Sequence, residues 1–544
     1  MVTLSTNFRY LKNLIKKDLT LNELEALLFE LGFEIELIKG EEILIEITPD
    51  RPDLLCAHGL ARTINNFLGI EQRNYRARKS NIKIIVDDSV KDIRPYTVCA
   101  VVKNLNFNEE KLKEIIDFQE RLHNTFARGR KKAAIGIYPL EKIKPPIYYK
   151  AEKPEKISFI PLDFSEEMNG IQILKRHPKG IEYGKLLKGK ERYPIFIDSK
   201  NEILSMPPII NSAKLGKVTK QTKEIFIECS GFDLEILKKT LNLIVVTLAD
   251  MGGEIYEVEV IYKNKKIETP DLNKEEIKLN YNNIQKLLGI ELNKKDIYKL
   301  LKKMGYSIED NKIFLPCYRT DILHEVDVID DVARAYGANN YDPEFPKVAT
   351  IGGLSKTTRI KNKIRELMIG LGFQETFTLI LTNKAEQFDK MNFKLDDIIY
   401  LENQIDKSIN MLRVSLIPEL LKVLYYNQHH ELPQKIFEVG EVIFKSDKEE
   451  TKSIEKVYLT ALITNSAVGY EDISSILDSF FSNLNLNYNL IKTKDRRFLD
   501  GRVAKIIVNN EEVGIVGEIS PQVLENFKLE RPVVCFELDI EFLF

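Results

Sequence analysis

An internal repeat limits the possible fold of this chain more than any other feature. Leu24, Leu27, Leu28, Leu31, Gly32, Phe33 and Ile35 recur at constant offset as Ile297, Leu300, Leu301, Met304, Gly305, Tyr306 and Ile308. Farther on, Arg51-Pro-Asp53-Leu54-Leu55 recurs as Arg319-Thr-Asp321-Ile322-Leu323, after a short deletion in the second copy. Apolar residues three and four apart, followed by glycine, read as an amphipathic helix and its stop. Each copy therefore predicts a helix, a glycine stop, a short strand, an Arg-X-Asp turn and a second helix. Asp53 and Asp321 stand where an acid can cap the following helix by accepting its free N–H groups.

The second copy adds an acidic face. Read as a helix, it puts Asp327, Asp330, Asp331 and Arg334 on one side and Val328, Ile329, Val332, Ala333 and Tyr336 on the other. Opposite the three acids the first copy carries Gly59, Arg62 and Thr63, so the module folds without them. Carboxylates aligned on one face repel, and something cationic belongs opposite. A hard divalent ion such as Mg²⁺ suits; a solvated face is the plain alternative.

A chain of 544 residues holds roughly three to five domains. Its 80 basic and 82 acidic residues nearly cancel, to a net charge of −2, so any RNA contact is local rather than driven by a global field. Five scattered cysteines, with no Cys-X-X-Cys pair, fit a reducing compartment and argue against disulfide scaffolding or a cysteine zinc site. No apolar run approaches the ~20 residues of a membrane span, and the N-terminus lacks a signal sequence. The expectation is a cytoplasmic, multidomain protein.

Residues 1–75 form the first module. The basic stretch Arg73-Asn-Tyr75-Arg76-Ala-Arg78-Lys79 after it suits either a solvated linker or RNA contact. From 82 to 265 the pattern is mixed α/β. Strands are expected at Ile82–Val86, Tyr96–Val102, Ala133–Tyr138, Tyr193–Asp198 and Ile225–Ile227, with helices at Glu109–Asn124 and Asp233–Met251. Residues 270–344 carry the second module. From 350 to 544 a helix at Thr358–Leu371 precedes expected strands at Glu375–Leu381, Gln434–Phe444, Val457–Thr464, Val503–Val508, Glu512–Glu518 and Val533–Leu538. Hairpin-length spacing makes this an antiparallel sheet in an α+β domain.

A self-contained nucleotide enzyme is not visible. Gly184-Lys-Leu-Leu-Lys-Gly189-Lys190 mimics a phosphate loop, but Glu191 stands where Ser or Thr would hold Mg²⁺. In Leu204-Ser-Met-Pro-Pro-Ile-Ile-Asn-Ser212 two prolines fix the backbone that presents Asn211 and Ser212, as a pocket or as a tight turn. Phe226-Ile-Glu228-Cys-Ser230-Gly231 ends a strand with polar groups at a glycine, a pocket rim or an ordinary strand end.

Taken in order, these motifs resemble the phenylalanyl–tRNA synthetase beta subunits of the short archaeal and eukaryotic form. The resemblance spans essentially the whole chain. It rests on Thr48-Pro-Asp-Arg-Pro-Asp-Leu-Leu55 with Gly59-Leu-Ala-Arg62, on Leu204–Ser212, and on Arg319-Thr-Asp321 with Asp327–Asp331. Phe437-Glu-Val-Gly440, Val513-Gly-Ile-Val-Gly-Glu518 and Phe536-Glu-Leu-Asp539 complete it.

The resemblance implies one subunit of an α₂β₂ ligase that joins phenylalanine to tRNA(Phe). ATP is then a substrate of the complex, and the synthetic site lies on the alpha partner. It also implies Mg²⁺ shared with that partner and held by Asp321, Asp327, Asp330 and Asp331, although many members carry Glu at the last two. Residues 350–544 would form a non-catalytic class II-like domain; no Gly-X-Gly-X-Gly-X-Glu-Arg run is present, and Arg413 has no matching motif. No membrane or DNA is implied, and the short form has no C-terminal anticodon-binding domain.

Residues 82–265 would form an editing domain that hydrolyses tyrosine wrongly attached to the tRNA. Glu228 would read the tyrosine hydroxyl, and Asn211, Ser212 and Ser230 would line the pocket or hold water. His123, before the basic Arg128–Lys132 stretch, would lie near the tRNA end. A site built to hydrogen-bond a hydroxyl can reject its absence by ~10⁴-fold. Two other readings remain: a nucleic-acid-binding adaptor that presents its repeated helices to a groove, and a stand-alone aminoacyl-tRNA deacylase.

Overall fold

Both copies of the repeat form the expected pair of helices, at Leu21–Glu30 and Ala57–Phe67 in the first and at Lys294–Lys303 and Glu325–Tyr336 in the second. The computed structural model describes residues 2–543 except 347, 349, 397, 405 and 407. After each first helix the chain turns at a glycine in the left-handed region, Gly32 at φ +84° and Gly305 at φ +92°. The single strand expected next is a hairpin in both copies. Glu34–Lys39 pairs with Glu42–Ile47, and Ser307–Glu309 with Lys312–Leu315. An upstream strand, Val2–Asn7 or Glu275–Ile277, completes each three-stranded antiparallel sheet. An isolated hairpin has too little to bury, and the third strand supplies the cover.

Neither Asp53 nor Asp321 caps a helix. The Cys56 sulfur caps the first copy, and His324 with Asp327 forms a capping box in the second. Each Asp instead takes a two-pronged hydrogen bond from the arginine two residues before it. Arg51 reaches Asp53 at 2.9 and 2.9 Å, and Arg319 reaches Asp321 at 2.8 and 2.7 Å. The fork geometry of guanidinium and carboxylate closes the Arg-X-Asp turn on itself.

The two modules dock reciprocally. Asn66 and Arg334 occupy equivalent places on the second helices, and each covers the other module's glycine stop. A Cβ on Gly32 would lie 2.6 Å from the Arg334 guanidinium, and one on Gly305 would lie 3.1 Å from Asn66 Nδ2. Arg334 also donates to the Leu31 carbonyl at 3.1 Å. Gln72 donates to the carbonyls of Gly305 and Tyr306 at 3.1 and 2.7 Å. One apolar cluster runs from Leu24 and Ile64 through Ile297 to Val328.

Between the modules lies an eleven-stranded mixed sheet. Its main path runs Ile210–Asn211, Ile203–Met206, Tyr193–Ile197, Ile147–Glu152, Lys83–Val86, Glu254–Ile261, Tyr96–Lys103, Ile225–Gly231 and Ala133–Pro139. Lys83–Val86 runs parallel to both its neighbours; Glu254–Ile261 also pairs parallel with the short strand Ala77–Arg78. Helices Glu109–Asn124 and Leu234–Asp250 cover the end that holds Ala133–Pro139, an edge strand. The basic stretch before this sheet is an anchored linker: Arg73 pairs with Glu71 and Asp250, Arg78 with Glu254 and Lys79 with Glu268. All this belongs to one compact unit, Met1–Phe345.

The other unit, Pro346–Phe544, is built on a seven-stranded sheet. Gln434–Lys445, Ser453–Thr464, Val533–Asp539, Glu511–Ile519, Phe498–Val508 and Asn489–Lys492 pair antiparallel in that spatial order. Helices Lys356–Gly370 and Tyr470–Asn483 pack into one core cluster, and Ile417–Tyr426 with Pro521–Asn526 into another. Alternate strand residues such as Phe437 and Ile436 divide between the two, as the pleat requires. The expected strand Glu375–Leu381 does not form. Gln374–Glu375 pairs parallel at the sheet edge, and Leu381–Thr382 joins a separate two-stranded sheet. Between them Phe377 and Leu379 are 84% and 66% exposed, so nothing in this unit covers the apolar half of the alternation. Among the described residues no helix is long and apolar enough to cross a membrane.

Candidate functional site

The acidic helix meets its cation inside the chain. Arg319, buried between the modules, bonds Asp321 and also Asp331, whose carboxylate lies 2.9 Å from the same guanidinium and accepts from Tyr306 at 2.6 Å. Burial pushes the Asp331 carboxyl up, against the pull of Arg319 and Arg51. Asp327 turns back to accept the N–H groups of Leu323 and His324, both at 2.8 Å. Asp330 pairs with Arg334 one helical turn on, at 2.8 Å. Each of the four acids proposed as Mg²⁺ ligands thus has a protein partner. Among the described residues no three His, Cys, Asp or Glu are grouped to hold a metal ion. In this placement the Arg319 guanidinium lies between the Asp321 and Asp331 carboxylates and bonds both.

A cavity of about 450 Å³ opens at the edge strand of the middle sheet. Its walls are the Glu109–Asn124 helix, the strand Ala133–Pro139 and the loop that carries Pro207 and Pro208. Phe107, Ile115, Ile116, Ile135, Ile137 and Val218 make it largely apolar. Of the five residues singled out for an editing pocket, Glu228, Asn211 and His123 line it and Ser212 and Ser230 do not. Ser212 accepts the Leu215 N–H at 3.2 Å and closes the turn after Asn211. Ser230 is fully buried two residues beyond Glu228 on the same strand, and its hydroxyl accepts from the buried Arg94 at 3.2 Å.

Glu228 is 2% exposed. Its Oε1 accepts from the Tyr138 hydroxyl at 3.2 Å, and its Oε2 has no hydrogen-bond partner among the described residues. Burial raises its carboxyl to about 8, although Tyr138, Arg94 and Ser230 pull it down. It faces Gly136 directly across the strand pair. A Cβ there would lie 2.6 Å from Glu228 Oε1 and would strike the Tyr138 hydroxyl, so only glycine leaves space for the pair. The same hydroxyl lies 3.2 Å from Asn211 Oδ1.

His123 is committed rather than free. Its Nε2 accepts the Ile135 N–H at 2.9 Å and its Nδ1 faces Glu120 at 3.2 Å, tying helix to strand. Burial lowers it to about 4, which leaves it neutral at physiological pH. Arg130 donates to the carbonyls of Pro208 and Ile209 at 3.0 and 2.8 Å and to Glu120 at 2.9 Å, so it clamps the proline loop to the helix.

Two contributors escaped the sequence. Ser205, inside the Leu204–Ser212 motif, lines the cavity with a buried hydroxyl. Tyr138 shares a strand face with Gly136 at the two-residue spacing of a pleat. That spacing gives a face but not what the face meets.

In the other unit Arg413 is 1% exposed. It bonds Glu438 at 2.8 Å, Thr378 Oγ1 at 2.7 Å and the Glu441 carbonyl at 2.8 Å. A guanidinium sealed this way is not presented to a phosphate.

Three family models match the chain: the Phe-tRNA synthetase beta subunit B1 domain over residues 1–70, the tRNA synthetase B5 domain over 277–338, and the phenylalanyl tRNA synthetase beta chain CLM domain over 342–540. Modules and sheet unit together define a subunit of an aminoacyl-tRNA ligase. The phenylalanine–tRNA ligase beta subunit of Thermococcus sibiricus is 43% identical over 97% of this chain and 96% of its own length. That of Pyrococcus abyssi is 42% identical over 97% of each. A crystal structure of an N-terminal fragment of the phenylalanyl-tRNA synthetase beta subunit from Pyrococcus horikoshii is 42% identical; it covers 62% of this chain and 99% of the fragment, with a TM-score of 0.59. The chain belongs to the phenylalanine–tRNA ligase beta-subunit family.

Proposed function

We propose that the chain works with an alpha partner that carries the ATP and phenylalanine site, and that its own cavity hydrolyses tyrosine mistakenly joined to tRNA(Phe). The observation that carries the second half is Glu228 Oε2, buried at the cavity and without a hydrogen-bond partner among the described residues. An unsatisfied buried acceptor costs about 1–3 kcal/mol until a donor arrives. A tyrosine hydroxyl is such a donor; phenylalanine brings none, and this supports discrimination between two side chains of nearly equal shape. Hydrolysis itself needs no protein nucleophile. A water oxygen bonds to the ester carbonyl carbon, the bond to the ribose oxygen breaks, and that oxygen leaves with a proton.

The test is made on the complex of both subunits with tRNA(Phe) charged with tyrosine or phenylalanine. The parent should release tyrosine faster, and Glu228→Ala should bring the two rates together. A parent with equal rates, or a variant with an unchanged ratio, removes the assignment. If the chain binds no ATP-using partner, the subunit reading fails and a stand-alone deacylase takes its place.

A further inference from the structure

We propose that Tyr138 is a positioning residue of the deacylation site: its hydroxyl holds Glu228 Oε1 so that Oε2 is left for the substrate hydroxyl. This rests on the reading of the cavity given above. Three observations converge. Tyr138 is fully buried, and its hydroxyl has two acceptors at equal distance, Glu228 Oε1 and Asn211 Oδ1, both 3.2 Å away. It has one proton for the two. Gly136, across from Glu228, leaves the space in which hydroxyl and carboxyl meet, which a Cβ would fill.

The two acceptors belong to different parts of the site. Glu228 is on a central strand, whereas Asn211 follows the proline loop clamped by Arg130. With the cavity empty, donation to Glu228 fixes the carboxyl. When a substrate hydroxyl donates to the same carboxyl, the Tyr138 proton can turn to Asn211 and leave neither acceptor bare. Arrival of a hydroxyl is thereby coupled to the loop, and a phenylalanyl ring offers nothing to start the exchange.

Tyr138→Phe removes one oxygen and keeps the ring. In the assembled complex, kcat and KM are measured separately for deacylation of tyrosyl- and phenylalanyl-tRNA across the pH range around the Glu228 carboxyl. The ratio of the two kcat/KM values does not depend on how much of a preparation is folded. Loss of one hydrogen bond to an ionised group is expected to cut the tyrosine preference about tenfold, mainly through the KM for tyrosyl-tRNA.

The pH at which the preference develops should also rise. Burial holds the Glu228 carboxyl at about 8, and the Tyr138 hydrogen bond, Arg94 and the Ser230 hydroxyl pull it down. Without the hydroxyl the carboxyl ionises later. The other groups whose charge reaches it, Cys99, Cys229 and Tyr149, are buried and held above their ordinary values, so they stay neutral in that range. A merely structural tyrosine would not move this midpoint. Gly136→Ala should copy both effects by pushing the hydroxyl and carboxyl apart. If the parent prefers tyrosine and Tyr138→Phe keeps both ratio and midpoint, the positioning role is wrong and the editing reading stands. If the parent shows no preference, the editing reading itself falls.

Discussion

Glu228 has been given a proton that its surroundings in the unfolded chain would not keep. Its ordinary value is 4.5 and burial raises it to about 8. Between those values the folded chain binds a proton that the unfolded chain has released. Its contribution to stability is therefore fully present below 4.5 and is lost as pH rises through about 8. Glu228→Gln keeps the shape and abolishes the titration. Thermal denaturation of the full chain should show the variant gaining on the parent steadily from about pH 5 to about pH 8.5. A difference in Tm that does not change with pH would place the carboxyl in contact with solvent. At this scale the sequence was half legible. Strand-end polarity pointed to Glu228, and the prolines pointed to Asn211, because both are local signals. Ser212 was drawn in by adjacency to Asn211, yet neighbouring residues on a strand face opposite ways; Ser230 shares the pleat face of Glu228, two residues on, but its hydroxyl is engaged by Arg94. The commitment of His123 to Ile135 and Glu120 has no local signature.

Among the elements, the two modules settle how an acidic helix is neutralised. The apolar spacing, the glycine stops and the second helices could be read from the repeat itself. The hairpins could not, since two strands joined by a tight turn look like one irregular stretch. Nor could the counter-ion of Asp331 be read, because Arg319 reaches it across a junction that spacing does not encode. Removing one partner of a buried ion pair leaves the other charge uncompensated, at a cost of about 3–5 kcal/mol. Arg319→Met should lower the stability of the full chain by that amount in urea unfolding, and adding Asp331→Asn should recover most of the loss. A chelator should leave the parent's unfolding midpoint where it is. A chelator-induced drop in the parent would restore a metal to this helix.

For the whole molecule, the seven-stranded unit turns its buried charged groups inward onto protein partners. Arg413 is sealed by Glu438 and Thr378, and Glu537 accepts from Ser415 and Thr460, both at 2.9 Å, and from the Leu416 N–H at 2.8 Å. Transition-state charge on a phosphate needs donors that are free to meet it. The isolated full chain is accordingly expected to give no phenylalanine-dependent exchange of pyrophosphate into ATP. Exchange above background by the chain alone would contradict the burial of Arg413.

The reciprocal docking of the modules also has a meaning in time. Asn66 and Gln72 leave the ribosome well before the backbone they cover, at Gly305 and Tyr306, which follows more than 200 residues later. At ordinary rates of synthesis the delay is about 10–50 s. Through that interval the nascent N-terminal module carries an unfinished face whose polar groups water must satisfy. The middle sheet is also incomplete then, because Glu254–Ile261, the strand between Lys83–Val86 and Tyr96–Lys103, is made late. Closure of both waits on the same late stretch of chain, so the first unit is expected to become protease-resistant in one step near the end of its synthesis rather than module by module.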